Sequence, residues 1–297
     1  MTTNRKKWRK VLYEVQNVPD NYVDESFLTE MRKNIYIRKY EYWDLVRRIE
    51  VITQQLCTVS CLIVSWWLLD EGLYTPYTML KWLMPVSVIG FCVYLYLTTS
   101  QGERWKALFS NAKTAVVVLC LTDFLSPILK TLTHTISTDT IYAMSVLMIL
   151  GHLLFHDYGS DAAPISRAVS LNMSLFSSVC LASRLDSSEH VFAIVILALF
   201  LFGFWPMLQR TLRRETPWFM DPFTVLLSIA TFLLLLFIHL YISLLFLLLI
   251  VFVNIICPLL LMSLQIHKNN IYGPWDEAVI DPDSPRIFKE KKSFKKE

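Results

Sequence analysis

The sequence predicts an all-α, polytopic membrane helix bundle with about eight transmembrane helices and both termini on the cytoplasmic side. Three observations predict it. Of 297 residues, 54% are hydrophobic and the mean hydropathy is +0.43, outside the range of ordinary soluble domains. Charge is pushed to the ends: residues 1–50 hold 19 of the 53 charged side chains and residues 263–297 hold 13, leaving 21 for the 212 residues between. That middle resolves into apolar stretches of about 20 residues, the length a helix needs to cross ~30 Å of hydrocarbon. Lipid offers no hydrogen-bond partner to a peptide group, so each crossing must be helical.

Taken in order, the stretches are 51–69, 79–97, 112–130, 140–157, 164–182, 190–208, 222–240 and 243–262. Pro222 to Met262 is nearly unbroken apolar sequence, 41 residues, about twice one crossing. A tight helical hairpin split at Ile238–Ser243 is the reading adopted; one crossing plus a re-entrant piece is the rival. An even number of crossings puts both tails on one side. The tails carry 11 and 7 Lys/Arg, and the loops after the second and sixth stretches carry Arg104, Lys106, Arg210, Arg213 and Arg214. Opposite loops carry Asp70, Glu71, Asp139, and Arg184 with Asp186 and Glu189. Positive residues stay cytoplasmic, so both termini are read as cytoplasmic. One loop departs: 157–163 belongs on the cytoplasmic side yet has no Lys or Arg.

Three segments follow: a cytoplasmic basic segment (1–50), an eight-helix transmembrane domain (51–262) and a cytoplasmic tail (263–297). Between Asp24 and Glu50, Leu28, Met31, Ile35, Tyr42, Val46 and Ile49 recur mostly at three- and four-residue steps. With Asp24 as N-cap, this reads as an amphipathic juxtamembrane helix running into the first span. Its basic residues can attract anionic lipid, although a solvated helix obeying the positive-inside tendency is the simpler reading. The tail, with Pro274, Pro282 and Pro285, reads as extended or disordered. The N-terminus has no signal-peptide pattern, so the first span acts as the insertion signal.

Several function classes are excluded. Seven widely separated glycines leave no dinucleotide or P-loop fingerprint, and neither tail is large enough for a sugar-nucleotide domain. A net charge of +3, dispersed, does not describe a nucleic-acid binder. All six cysteines fall inside predicted spans, outside a disulfide framework, and read as small buried fillers. No cofactor is expected.

Ionisable and polar residues inside spans are costly and so mark candidate sites. Asp123 and Lys130 share a helix face but stand about 10 Å apart along the axis, too far to pair directly. Asp123 is read either as functional or as protonated or bonded to a neighbouring helix, with Lys130 snorkelling. His152 and His156, at i and i+4 with Asp157 adjacent, resemble part of a zinc site but lack an assured third ligand; capping and hydrogen bonding are the simpler reading. Asn172 with Ser166, Ser170, Ser174, Ser177, Ser178 and Ser183 gives the fifth span a small, hydroxyl-bearing face, suited to close helix packing or to lining a lipid groove. No serine, cysteine or carboxylate catalytic arrangement is legible.

Distinctive segments run from end to end of the chain: Trp8–Glu14, Pro19–Asp24, Gln54–Cys57, Asp70–Leu73, Ser137–Ser145, Gly151–Leu153, Asp157–Gly159, Ser170–Met173, Ser178–Leu185, Trp205–Gln209 and Gly273–Ala278. In these the chain resembles the PIG-C family of phosphatidylinositol N-acetylglucosaminyltransferase subunits. The resemblance implies an endoplasmic-reticulum, multi-pass component of the complex that moves N-acetylglucosamine from UDP-N-acetylglucosamine to phosphatidylinositol, the first step of GPI-anchor synthesis. It also implies that a different subunit, PIG-A, is catalytic and is among the partners. The expected role is therefore non-catalytic: assembly, and presentation of phosphatidylinositol. The lipid head-group candidates are Arg167, Arg38, Lys39 and Asn172. A lipid transporter or scramblase on the same helices is the alternative, and an intramembrane transferase using His152 or Asp123 is a third reading.

Overall fold

The structure, a computed structural model, describes residues 40–100, 102–133, 135–159 and 166–268, together with 11, 13, 15, 19, 21, 22, 32, 33, 271 and 272. Among the described residues eight helices follow one another: α1 (Tyr42–Asp70), α2 (Pro76–Thr98), α3 (Arg104–Leu132), α4 (Thr138–Phe155), α5 (Arg167–Ala182), α6 (Ser188–Glu215), α7 (Pro217–Ile238) and α8 (Leu240–Gln265). They take up the eight apolar stretches in order. Seven are long and apolar enough to cross a membrane; α5, with 16 residues, is shorter. At 1.5 Å per residue α5 is about 24 Å long, less than the hydrocarbon thickness.

Local chemistry sets the ends. Thr75, Ser137, Ser166 and Ser187 each accept the backbone N–H three residues on, capping α2, α4, α5 and α6. Pro76 and Pro217 open α2 and α7, where a missing N–H costs nothing. His239 alone, extended at φ −161° and ψ 133°, divides α7 from α8, as the hairpin reading expected. Its 26 residues give α8 the length of a full crossing. Helix α1 begins at Tyr42, within the segment read as a juxtamembrane helix, and in its first turns Arg47 faces Asp221 at 3.7 Å and Glu50 faces Arg213 at 3.9 Å.

Residues 41–261 form one compact unit; residues 1–40 with 262–297 form another. In the second, Arg32–Lys33 (β1) pairs antiparallel with Ile271–Tyr272 (β2). This corrects the helical expectation at Arg32 and Lys33: pairing with a distant strand overrides a weak local period. The proposed cap Asp24 and most of that segment lie outside the described residues. Within the same unit the Tyr40 N–H donates to Gln265 Oε1 at 3.5 Å.

In the larger unit α1 and α6 are the inner helices. Over 191–204 helix α6 is apolar on every side, as an inner helix should be, and Val191, Ala193, Ile194 and Ala198 are fully buried. Helices α2, α3 and α8 are peripheral and expose apolar side chains outward. Helix α5 sets Ser170, Ser174, Ser177 and Ser178 against its neighbours, all buried; Ser177 Oγ donates to the Ser145 carbonyl on α4 at 3.1 Å. Small residues let these two backbones approach closely. The cysteine expectation holds for Cys57 and Cys180, which are buried, but Cys92 and Cys120 are exposed on the outer helices.

Candidate functional site

Three consecutive residues of α1 organise a buried polar layer. Thr53, Gln54 and Gln55 are all essentially sealed from solvent. Successive residues on a helix point about 100° apart, so the three reach different neighbours. Thr53 Oγ1 receives Asn254 Nδ2 of α8 at 2.8 Å. Gln54 donates to Thr224 of α7 and accepts from Gln209 of α6. Gln55 donates to His152 Nε2 of α4, whose Nδ1–H is bonded to the Ser170 carbonyl of α5 at 2.8 Å. The last pair fixes the imidazole as the Nδ1–H tautomer, with both nitrogens occupied by protein. Gln55 Oε1 is buried without a partner. Each of α6 and α8 is locally widened into a π-helical turn, Leu199–Phe204 and Phe252–Ile256. Asn254 sits in one turn, and Phe202 in the other lies edge-on to His152 at 4.8 Å. Such widened turns re-aim side chains.

Above this layer, at one end of the bundle, lies a cavity of about 320 Å³ lined by Val51, His156, Asp157, Tyr158, Gly159, Arg167, Pro206, Gln209, Arg210 and Arg213. Gly159, at φ +76°, turns its N–H back onto Asp157 Oδ1 at 2.9 Å. The other carboxylate oxygen takes Arg167 Nη2 at 2.8 Å and faces Arg210 Nη2 at 3.7 Å. Burial opposes ionisation of Asp157, but the Gly159 N–H and the two guanidinium groups outweigh it and hold the carboxyl below its ordinary value. Burial, with His152 and Arg210 nearby, pushes His156 down to about 4, leaving it neutral at pH 7. Burial also raises Tyr158 to about 12, and its hydroxyl donates to the Leu153 carbonyl at 2.6 Å. Three arginines and one carboxylate give the lining a net charge of +2.

A larger cavity of about 510 Å³ lies on the far side of Arg213, lined by Asp44, Arg47, Arg48, Glu50, Arg213, Pro217, Trp218, Met220 and Asp221. Its three carboxylates formally balance its three arginines, of which Arg213 is shared with the smaller cavity. Charge rather than size separates the two: an anionic head group is favoured in the smaller.

Of the predicted head-group residues, Arg167 lines the smaller cavity. Asn172 is exposed on α5 and does not line it. Arg38 and Lys39 lie outside the described residues. Asp123 and Lys130 do not pair; Lys130 Nζ donates instead to the Asp186 carbonyl at the opposite end of the bundle. There Arg184 also donates to the carbonyls of Thr133 and Ile136, at 2.9 and 2.7 Å.

Residues 8–276 match the GPI2 family, described as phosphatidylinositol N-acetylglucosaminyltransferase. The chain belongs to this family. It is 46% identical over 288 residues to the C subunit of phosphatidylinositol N-acetylglucosaminyltransferase of Homo sapiens, covering 96% of this chain and 97% of the human one. The putative C subunit of the Dictyostelium discoideum transferase is 34% identical, covering 95% and 82%. The GPI2 subunit of Schizosaccharomyces pombe is 28% identical, covering 93% and 87%. No solved structure matches.

Sequence reasoning passed over Arg210, Arg213, Tyr158 and Gln209 as site residues. Arg210 and Arg213, three apart at the end of α6, were legible as one helix face but served only as a mark of orientation. The basic-free loop 157–163 was the missed signal: Asp157 draws its cations from α5 and α6.

Proposed function

We infer that this chain is a non-catalytic membrane subunit of a phosphatidylinositol N-acetylglucosaminyltransferase complex in the endoplasmic reticulum, with PIG-A as the catalytic partner, and that it presents phosphatidylinositol to it. The observation that carries the reading is the cavity of net charge +2 formed by Arg167, Arg210 and Arg213 at one end of a bundle of apolar helices. Forked guanidinium groups suit a phosphate, and the outward apolar faces of the helices suit acyl chains. The same end carries Arg47, Arg48 and Arg214, so the positive-inside tendency supports reading it, with both termini, as cytoplasmic. The neutral His156 and the hydrogen-bonded Tyr158 wall the cavity with groups that add no opposing charge. Among the described residues of 41–261, those outside the helices form short loops, too little to hold a sugar nucleotide.

The test is lipid retained by the purified chain in nanodiscs of mixed phosphatidylinositol and phosphatidylcholine, measured by mass spectrometry. Arg210→Gln is expected to lower phosphatidylinositol enrichment about tenfold, a loss of about 1.4 kcal/mol and the scale of one charge-assisted contact. Arg48→Gln, in the neutral cavity, leaves it unchanged. Equal enrichment in all three proteins overturns the head-group assignment, and sugar transfer by the isolated chain overturns the non-catalytic one.

A further inference from the structure

Helix α3 packs one face inward and leaves the other open. Thr122 and Ser126 are buried, and Leu119 and Leu129 pack against the core that contains α6. The outer stripe is Phe109, Ala112, Val116, Cys120, Asp123 and Pro127, all exposed. Exposed apolar residues there need no explanation beyond lipid. Asp123 does. It lies between Lys113 and Lys130 in a run of 16 residues that contains no other charged side chain. At 1.5 Å per residue it stands about 15 Å from the first lysine and about 10 Å from the second along the axis, within the hydrocarbon.

Nothing in the fold uses this carboxylate. Pro127, four residues on, offers no N–H to the Asp123 carbonyl, but Ser126 Oγ donates to that carbonyl at 3.0 Å, so the local backbone is already satisfied. Among the described residues no hydrogen bond or ion pair reaches the Asp123 side chain. Helix α3 would insert more favourably with an apolar residue at this position, by ~2.5–3.5 kcal/mol on insertion scales. A carboxylate turned outward at this depth has a use only when a donor arrives from outside the chain.

We propose that the outer face of α3 is the docking surface for a transmembrane helix of another subunit of the complex, one that sets a Lys, Arg or His side chain against Asp123 at mid-membrane depth. Charge complementarity chooses this occupant. A second copy docked face to face brings carboxylate against carboxylate, and lipid brings no donor. Ala112 and Cys120, small and on the same stripe, let the incoming backbone come close. The proposal rests on the reading of the chain as one member of a complex, but not on the head-group cavity, which lies on other helices.

The experiment uses full-length tagged chain in cells whose own copy is deleted, with the other subunits quantified after purification. A photo-crosslinking amino acid replaces Val116 on the docking face or Val118 on a different one. Asp123→Leu is expected to lower recovery of one partner about tenfold and Asp123→Asn by less, because the amide can still hydrogen-bond. The Val116 probe is expected to give an adduct with that partner, lost in Asp123→Leu, while Val118 gives none. The isolated Asp123→Leu chain keeps its folding and its phosphatidylinositol enrichment, which separates failure here from failure of the head-group assignment. Unchanged partner recovery, an adduct with a second copy of this chain, adducts with lipid alone, or an isolated Asp123→Leu chain that no longer folds would each overturn the proposal.

Discussion

Replacing Gln54 by Leu tests whether the buried polar layer holds the helices together. Gln54 is fully buried and bonds two other helices at once, through Thr224 and Gln209. Interhelical hydrogen bonds in membranes average ~0.6 kcal/mol and reach ~1.7. The substitution also strands the Gln209 amide, at a cost of roughly 1–3 kcal/mol. Leucine has similar volume, so the packing contribution is small. The expected loss is about 2 kcal/mol, or roughly 4–8 °C for a chain of this size. Thr224 softens the loss because its hydroxyl already donates to the Met220 carbonyl at 2.8 Å. The assay is thermal unfolding of a fluorescently tagged chain in detergent, read by size-exclusion chromatography, in a cycle with Gln209→Leu. The double variant should be about 1 kcal/mol more stable than the sum of the single losses, because either substitution alone breaks the shared bond. Additivity within about 0.5 kcal/mol, or a melting temperature unchanged by Gln54→Leu, refutes the reasoning.

Other predictions concern separate features. His156 titrates at about 4 in the fold against an ordinary value of 6.5, so between those values the unfolded chain binds more protons. Stability should therefore be at its plateau above pH 6.5 and fall as pH drops towards 4, by at most roughly 3 kcal/mol. A pH series of melting temperatures checks this, and His156→Phe should flatten the slope in that window. Asp157 contributes in the same direction at lower pH, its stabilisation disappearing as pH falls through its depressed value. Gly72 follows α1 at φ +67°, with open space where a Cβ would stand, so Gly72→Ala should cost about 1 kcal/mol from backbone strain alone. A melting temperature equal to the parent's would show that the turn relaxes. Gly151 lets α4 meet α5: a Cβ there would sit 2.5 Å from Met173 Sδ. Because a methionine side chain can move, Gly151→Ala should cost under about 1 kcal/mol, while Gly151→Leu should cost roughly 1–3 kcal/mol by overpacking. Equal melting temperatures for the two would refute the close approach.

The sequence by itself determined the bundle: the order of eight apolar stretches and the break within Ile238–Ser243, where His239 divides α7 from α8. These are properties of single helices, set by the length of hydrocarbon to be crossed. It also supplied Arg167, because a cation at the end of a span is conspicuous on its own. The tertiary structure decided what depends on more than one helix. Thr53, Gln54 and Gln55 become a polar layer only when α8, α7, α6 and α4 surround them. Arg210 and Asp157 are 53 residues apart in the chain and become a site only when the ends of α4 and α6 meet. The same packing left Asn172 exposed and turned Asp123 outward, since which face of an apolar helix is buried follows from its neighbours when hydrophobicity is spread around its whole circumference.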